Sequence, residues 1–198
     1  MDCCQPPATV DLEVTPADHD LAVRGFVALW HGQQPRPVDL DADPATVDAL
    51  QRRGLIVTDP DGRITGIHGL STTSTAHRIS HPGADIYTWC AFDAIGIPAA
   101  LRLDAHTHTT CPTCGQHLEV TFTGGQPTAS ADLRLWLPTT QCDNVLDDLC
   151  AHANLYCNHQ HLTTTVPTDA NGATLTVPAA ADLGRTTWQD AATALHSI

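Results

Sequence analysis

Along the first third of the chain, apolar residues recur at helical spacing. Thr15-Pro16 reads as an N-cap followed by proline at the first helical position. Leu21, Val23, Phe26, Leu29 and Trp30 then line one face. Asp43-Pro44 repeats the start signal ahead of Val47 and Leu50, with Gly54 as the stop. The period then changes: Leu55-Ile56-Val57, the turn Asp59-Pro60-Asp61-Gly62 and Ile64 through Ile67 predict two short strands in a hairpin. Two helices and a hairpin make a small winged-helix-like module over residues 15–70. A Pro-rich, acidic tail, residues 1–14, precedes it and carries Cys3-Cys4.

Ser71 to Thr75 reads as a linker into a second region, residues 71–198. There, Ile86 to Leu101 predicts a helix with Pro98 near its end. Strand-like patterns follow at Leu101 to Thr109, His117 to Thr123 and Ala131 to Leu137, the last with alternating Leu133, Leu135 and Leu137. Asp143 to Leu149 reads as helical, Asn154 onwards as extended, Ala173 to Val177 as a last strand and Pro178 to His196 as the closing helix. Strands and helices without βαβ alternation predict an α+β fold, the N-terminal module leading into a mixed core of mainly antiparallel strands.

Composition narrows the function classes. With 198 residues and 42% hydrophobic content the chain can bury one core. No apolar run approaches the roughly 18–20 residues of a membrane span. The start, Met-Asp-Cys-Cys-Gln-Pro-Pro, lacks the basic and apolar regions of a signal peptide, so a soluble, cytoplasmic chain is expected. Nine Arg and no Lys face 22 acidic residues, for a net charge of −13. A winged helix offering only Arg52 and Arg53 amid Asp residues is a poor reader of phosphates, so neither nucleic acid nor an anionic membrane is an expected partner. Eight Cys and twelve His, in a chain expected to stay reduced, point instead to soft-metal chemistry or thiol catalysis.

One block combines a thiol with an acid. In Tyr87-Thr88-Trp89-Cys90-Ala91-Phe92-Asp93-Ala94-Ile95, Cys90 and Asp93 stand three apart on the expected helix and share a face among apolar neighbours. A carboxylate beside a buried thiol can take its proton and later return it to a leaving group. The bland alternative is a Cys packed as a small hydrophobe, with Asp93 capping something local. A second block, Leu149-Cys150-Ala151-His152-Ala153-Asn154-Leu155-Tyr156, follows sixty residues after Cys90.

Together these blocks resemble the alkylmercury lyases (organomercurial lyases). That family has a Tyr-x-Trp-Cys-Ala-x-Asp helix leading into an apolar segment with Pro, here Ile97-Pro98-Ala99. It also has a later Phe-Cys-x-His motif, with Leu149 here in place of the aromatic and Ala151 where a further Cys often stands. Leu175-Thr176-Val177 through Ala181-Asp182-Leu183-Gly184-Arg185 looks like its C-terminal strand, helix and Leu-Gly turn, and the N-terminal module like its winged-helix-like domain. The resemblance spans roughly residues 18–190.

The resemblance implies Cys90 and Cys150 as a thiol pair and Asp93 as the proton handler in protonolysis of R–Hg⁺ to R–H and Hg²⁺. No organic cofactor is required. The mercury(II) product would bridge Cys90 and Cys150 until small thiols or a dithiol acceptor protein, such as a mercuric reductase, remove it. Cys157, seven residues beyond Cys150, competes as the second thiol. Spacing from Pro138 and the following His152 favour Cys150.

Another motif, His106-Thr-His108-Thr-Thr-Cys111-Pro-Thr-Cys114-Gly115-Gln-His117, holds half of a zinc knuckle. Structural zinc, an ancillary mercury-collecting dithiol and a reduced hairpin tip are all open readings of Cys111 and Cys114. Cys142 reads as incidental, and His159 and His161 as alternating residues of a strand. Two other functions stand beside the lyase reading: a non-catalytic soft-metal binder or sensor on the same scaffold, and a lyase-like enzyme with another substrate.

Overall fold

Both N-terminal helices begin at their capping residues. The computed structural model describes residues 15–138 and 143–197, so Cys3, Cys4 and Cys142 lie outside the described residues. In α1 (Pro16–Trp30) the Thr15 hydroxyl accepts from the Asp18 amide at 3.2 Å, and the Asp18 carboxylate accepts from the Thr15 amide at 3.0 Å. Such a reciprocal box stabilises a helix start by ~1 kcal/mol. In α2 (Pro44–Arg52) Asp43 caps Thr46. The hairpin follows as β1 (Ile56–Thr58) and β2 (Ile64–Ile67).

The chain continues as β3 (Leu70–Ser71), β4 (His77–His81), β5 (Ala84–Thr88), α3 (Ala91–Ala100), β6 (Ala105–Thr110), β7 (His117–Thr123) and β8 (Gln126–Thr128). Then come β9 (Arg134–Pro138), a π-helical turn (Val145–Cys150), β10 (Leu155–Tyr156), α4 (His159–Thr165), β11 (Gly172–Leu175), α5 (Val177–Thr187) and α6 (Gln189–His196). An eight-stranded sheet runs β1-β2-β3-β5-β4-β6-β7-β8, and a three-stranded one runs β10-β9-β11. Every strand pairing in both is antiparallel. The fold is α+β. Among the described residues, no helix is long and apolar enough to cross a membrane.

α3 is the centre of the molecule. Its sequence, AFDAIGIPAA, is apolar all round apart from Asp93, and Ala91 through Ala99 are all buried, against α5 on one side and the strands on the other. Two features let it sit there. Gly96 and Gly184 face each other so closely that a Cβ on Gly184 would lie 2.1 Å from the Gly96 Cα. Pro98 has no amide to offer the carbonyl of Ala94, and the buried Thr107 hydroxyl donates to that carbonyl instead at 2.7 Å.

Six expectations need correction. The helix expected from Ile86 begins only at Ala91, because Ile86-Tyr87-Thr88 pair with Ile79, Arg78 and His77 as β5. Ser71, expected in a linker, is a residue of β3 bonded into the large sheet. The segment expected to be extended from Asn154 bends after Tyr156 into α4, whose first turn is capped by Asn158 accepting from the His161 amide at 2.9 Å. His159 and His161 are therefore helical. The closing helix breaks at Trp188, whose indole turns inward, is 2% exposed and donates to the His68 carbonyl at 2.9 Å. Gly184, read as part of a turn, lies inside α5.

Candidate active site

Cys90 stands at the corner where β5 becomes α3. Its backbone is extended (φ −145°, ψ 175°), so it serves as the N-cap of α3. Asp93 is the third helical residue, and its carboxylate accepts the Cys90 amide at 3.0 Å while its own amide turns to the Cys90 sulfur. The Thr88 hydroxyl donates to the Cys90 carbonyl at 3.2 Å. The spacing of three thus makes a capping box whose cap is a thiol. Asp93 does cap locally, and it lies beside the sulfur as well.

Cys150 arrives from the other side, at the end of the π-helical turn Val145–Cys150. Asn144 starts that turn, its side-chain oxygen accepting from the amides of Leu146 (3.0 Å) and Asp147 (3.2 Å). The Val145 amide donates to the Arg53 carbonyl at 2.8 Å, which fastens the turn to the end of α2. Beyond Cys150, the Ala91 amide donates to the Ala153 carbonyl at 3.1 Å. π-Helical turns are rare and recur at functional sites.

The three groups meet. A sulfur of Cys90, a sulfur of Cys150 and a carboxylate oxygen of Asp93 lie within 4.8 Å of one another, all buried. Asp93 and Cys150 line a cavity of about 120 Å³ together with apolar residues including Leu55, Trp89, Phe92 and Trp188. Cys90 is fully buried behind them. Burial dominates the electrostatics. It pushes the Asp93 carboxyl up to about 7, against the hydrogen bonds from the Cys90 thiol and amide. It pushes the Cys90 thiol well up as well, helped by the Cys150 thiol and the nearby Asp93 charge. A carboxyl group that titrates near neutrality is matched to moving protons.

His68 and Gly69 complete the cavity wall, and the sequence reading missed both. They form the two-residue turn between Ile67 and Leu70, with φ of 51° and 90°. A Cβ on Gly69 would lie 3.0 Å from the Asp93 carboxyl carbon, so only glycine lets the hairpin close over the acid. Burial lowers His68 to about 4, and its Nε2 has no hydrogen-bond partner among the described residues. The legible signal was a residue–glycine pair between two apolar runs.

Cys157 lies elsewhere. It joins Cys111, Cys114 and His161, whose donor atoms all lie within 4.8 Å of one another. Burial opposes ionisation of Cys111, but backbone amides of Cys157, Cys114 and Thr113 and the His161 ring outweigh it and bring its thiol below the ordinary range. Cys157 is pushed up by burial and by the Cys114 and Cys111 sulfurs. Sequence spacing paired Cys111 with Cys114; the long-range partners were invisible to it.

A buried dithiol with an acid on an α+β scaffold is a donor set suited to a soft metal ion. The model of the alkylmercury lyase family matches residues 70–189, and the chain belongs to that family. It is 34% identical to an alkylmercury lyase of Streptomyces lividans over 104 residues, 48% of each chain. It is 26% identical to one of Staphylococcus epidermidis over 114 residues, 57% of this chain and 50% of the other. The chain thus spans about half the length of the curated relatives it matches. The crystal structure of the mercury-bound form of MerB2 superposes with a TM-score of 0.79 at 19% identity, covering 91% of this chain and 93% of that one, a likeness of fold.

Proposed function

We propose that this chain cleaves carbon–mercury bonds by protonolysis, with Cys90, Cys150 and Asp93 as the reacting groups. The supporting observation is the meeting of two buried sulfurs and one buried carboxyl group at the wall of a largely apolar cavity, which Asp93 and Cys150 line with Cys90 directly behind them. Soft thiolates are preferred ligands of a soft cation. A mercurial R–Hg–SR′ exchanges onto one cysteine, and that cysteine's proton leaves with R′S⁻ as R′SH. The second cysteine gives its proton to the Asp93 carboxylate, and its sulfur joins the metal. The added electron density makes the carbon more carbanion-like. The electron pair of the carbon–mercury bond then takes the Asp93 proton, R–H leaves, and mercury(II) stays bridged between the two sulfurs. Nothing is oxidised or reduced, and Asp93 ends ionised as it began.

The apolar wall suits an uncharged R group, and exclusion of water keeps the acid's proton for carbon. Small thiols or a dithiol acceptor protein, such as a mercuric reductase, would take the mercury. The test is hydrocarbon release from methylmercury and phenylmercury by fully reduced protein in excess small thiol, read as methane and benzene by gas chromatography. Release that disappears in Cys90→Ser and Cys150→Ser supports the reading. Silence with both substrates overturns it and leaves a soft-metal binder or a lyase-like enzyme with another substrate.

A further inference from the structure

We propose that Cys111, Cys114, Cys157 and His161 form a second, closed metal site that holds a four-coordinate zinc ion and pins the Cys150-bearing segment to the large sheet. This reading does not depend on carbon–mercury cleavage.

All four donor atoms lie within 4.8 Å of one another, and two of their separations are close to the edges of a zinc tetrahedron. Cys114 Sγ and Cys157 Sγ are 3.5 Å apart, and Cys111 Sγ and His161 Nδ1 are 3.6 Å apart. Around zinc, with Zn–S of ~2.3 Å and Zn–N of ~2.0–2.1 Å, tetrahedral angles require S···S near ~3.8 Å and S···N near ~3.6 Å. A disulfide would need the sulfurs at ~2.05 Å. The spacing Cys-x-x-Cys followed by Cys-x-x-x-His is also the pattern of zinc ligands.

The surroundings are built for thiolates. The Cys111-Pro112-Thr113-Cys114-Gly115 turn is closed by Gly115 donating to the Cys111 carbonyl and Cys111 donating to the Gln116 carbonyl, both at 2.9 Å. Backbone amides face the Cys111 sulfur, the outer support that metal-bound thiolates receive. Three sulfurs and an imidazole leave a tetrahedral ion no open position, which makes the site structural. The imidazole favours zinc over mercury(II), a softer ion that is satisfied by two thiolates.

The site also explains what it joins. Cys111 and Cys114 follow β6, whereas Cys157 and His161 follow β10, seven and eleven residues beyond Cys150. The Thr113 hydroxyl donates to the His161 carbonyl at 2.9 Å and meets the Thr165 hydroxyl at 2.6 Å, along the same seam.

The experiment is elemental analysis of the full chain, purified reduced and without added metal. About one zinc per chain is expected. Cys90→Ser/Cys150→Ser should keep it, while Cys157→Ser and His161→Ala should lose most of it. Cobalt(II) exchanged into the parent chain should give thiolate charge-transfer absorption and the intense visible bands of a tetrahedral site. That spectrum needs no variant to fold. A parent chain without zinc whose cobalt complex lacks those bands overturns the proposal. So does zinc that survives Cys157→Ser but is lost in Cys90→Ser/Cys150→Ser, or a Cys114–Cys157 disulfide in freshly reduced protein. Failure of hydrocarbon release with zinc in place would count against the lyase reading alone.

Discussion

The Cys90 amide donates to the Asp93 carboxylate at 3.0 Å, so the carboxylate that caps the start of α3 also stands against the thiol. Asp93→Asn separates these tasks. Its side-chain oxygen can still accept the amide, but it has no acidic proton to give. Hydrocarbon release should fall by ~10²–10⁴-fold, the usual contribution of a positioned general acid. Mercury(II) binding, followed by thiolate–mercury absorption in the ultraviolet, should persist because both sulfurs remain. Release within tenfold of the parent would remove Asp93 from the reaction.

The same substitution predicts a pH signature in stability. Burial raises the Asp93 carboxyl from 3.8 to about 7, so between those values the native chain holds a proton that the unfolded chain has lost. Its contribution is therefore present in acid and lost as pH rises through 7. His68 and His77 run the other way. Burial lowers both from 6.5 to about 4, so their contribution is lost as pH falls through that window. Asp93→Asn removes only the first effect. The variant should be more stable than the parent at pH 8 by a few kcal/mol, because each tenfold weakening of the acid is worth ~1.4 kcal/mol, and the advantage should vanish by pH 4. Urea melts at pH 4, 6 and 8 measure it; a gap that widens in acid contradicts the assignment.

Much of this arrangement was legible because its signals are local. Thr15, Asp43 and the Asp59–Gly62 turn act within three or four residues, and α1, α2 and the β1–β2 hairpin lie where those signals put them. Cys90 and Asp93 were visible for the same reason. Ile86-Tyr87-Thr88 were not, since an apolar run reads as either helix or strand until its partner, β4, is known. The choice between Cys150 and Cys157 was likewise non-local: seven residues apart in sequence, they belong to two different clusters. Spacing could suggest that Cys111 and Cys114 pair, but only the bend into α4 brings His161 to them.

Gly69 offers a test of how tightly the acid is held. Its φ of 90° disfavours any side chain, and a Cβ there would lie 3.0 Å from the Asp93 carboxyl carbon. Gly69→Ala should cost ~1–3 kcal/mol in stability, as strain at such positions does. Hydrocarbon release should fall beyond that loss, measured at a temperature where the variant is fully folded, because the displaced carboxyl no longer faces the sulfurs. Normal release from a destabilised Gly69→Ala would mean that the acid tolerates movement.

Thr107 and Pro98 form a pair whose energetics a double-mutant cycle can isolate. Pro98 leaves the Ala94 carbonyl without its helical donor, and the Thr107 hydroxyl, 1% exposed, fills the place at 2.7 Å. Thr107→Val keeps the shape and removes the donor, stranding a buried carbonyl at a cost of ~1–3 kcal/mol. For a chain of this size each kcal/mol moves Tm by ~2–4 °C. Pro98→Ala returns an amide to the helix, so the cost of Thr107→Val should shrink in that background. An equal drop in Tm with and without Pro98 would show that the hydroxyl stabilises α3 through some other contact.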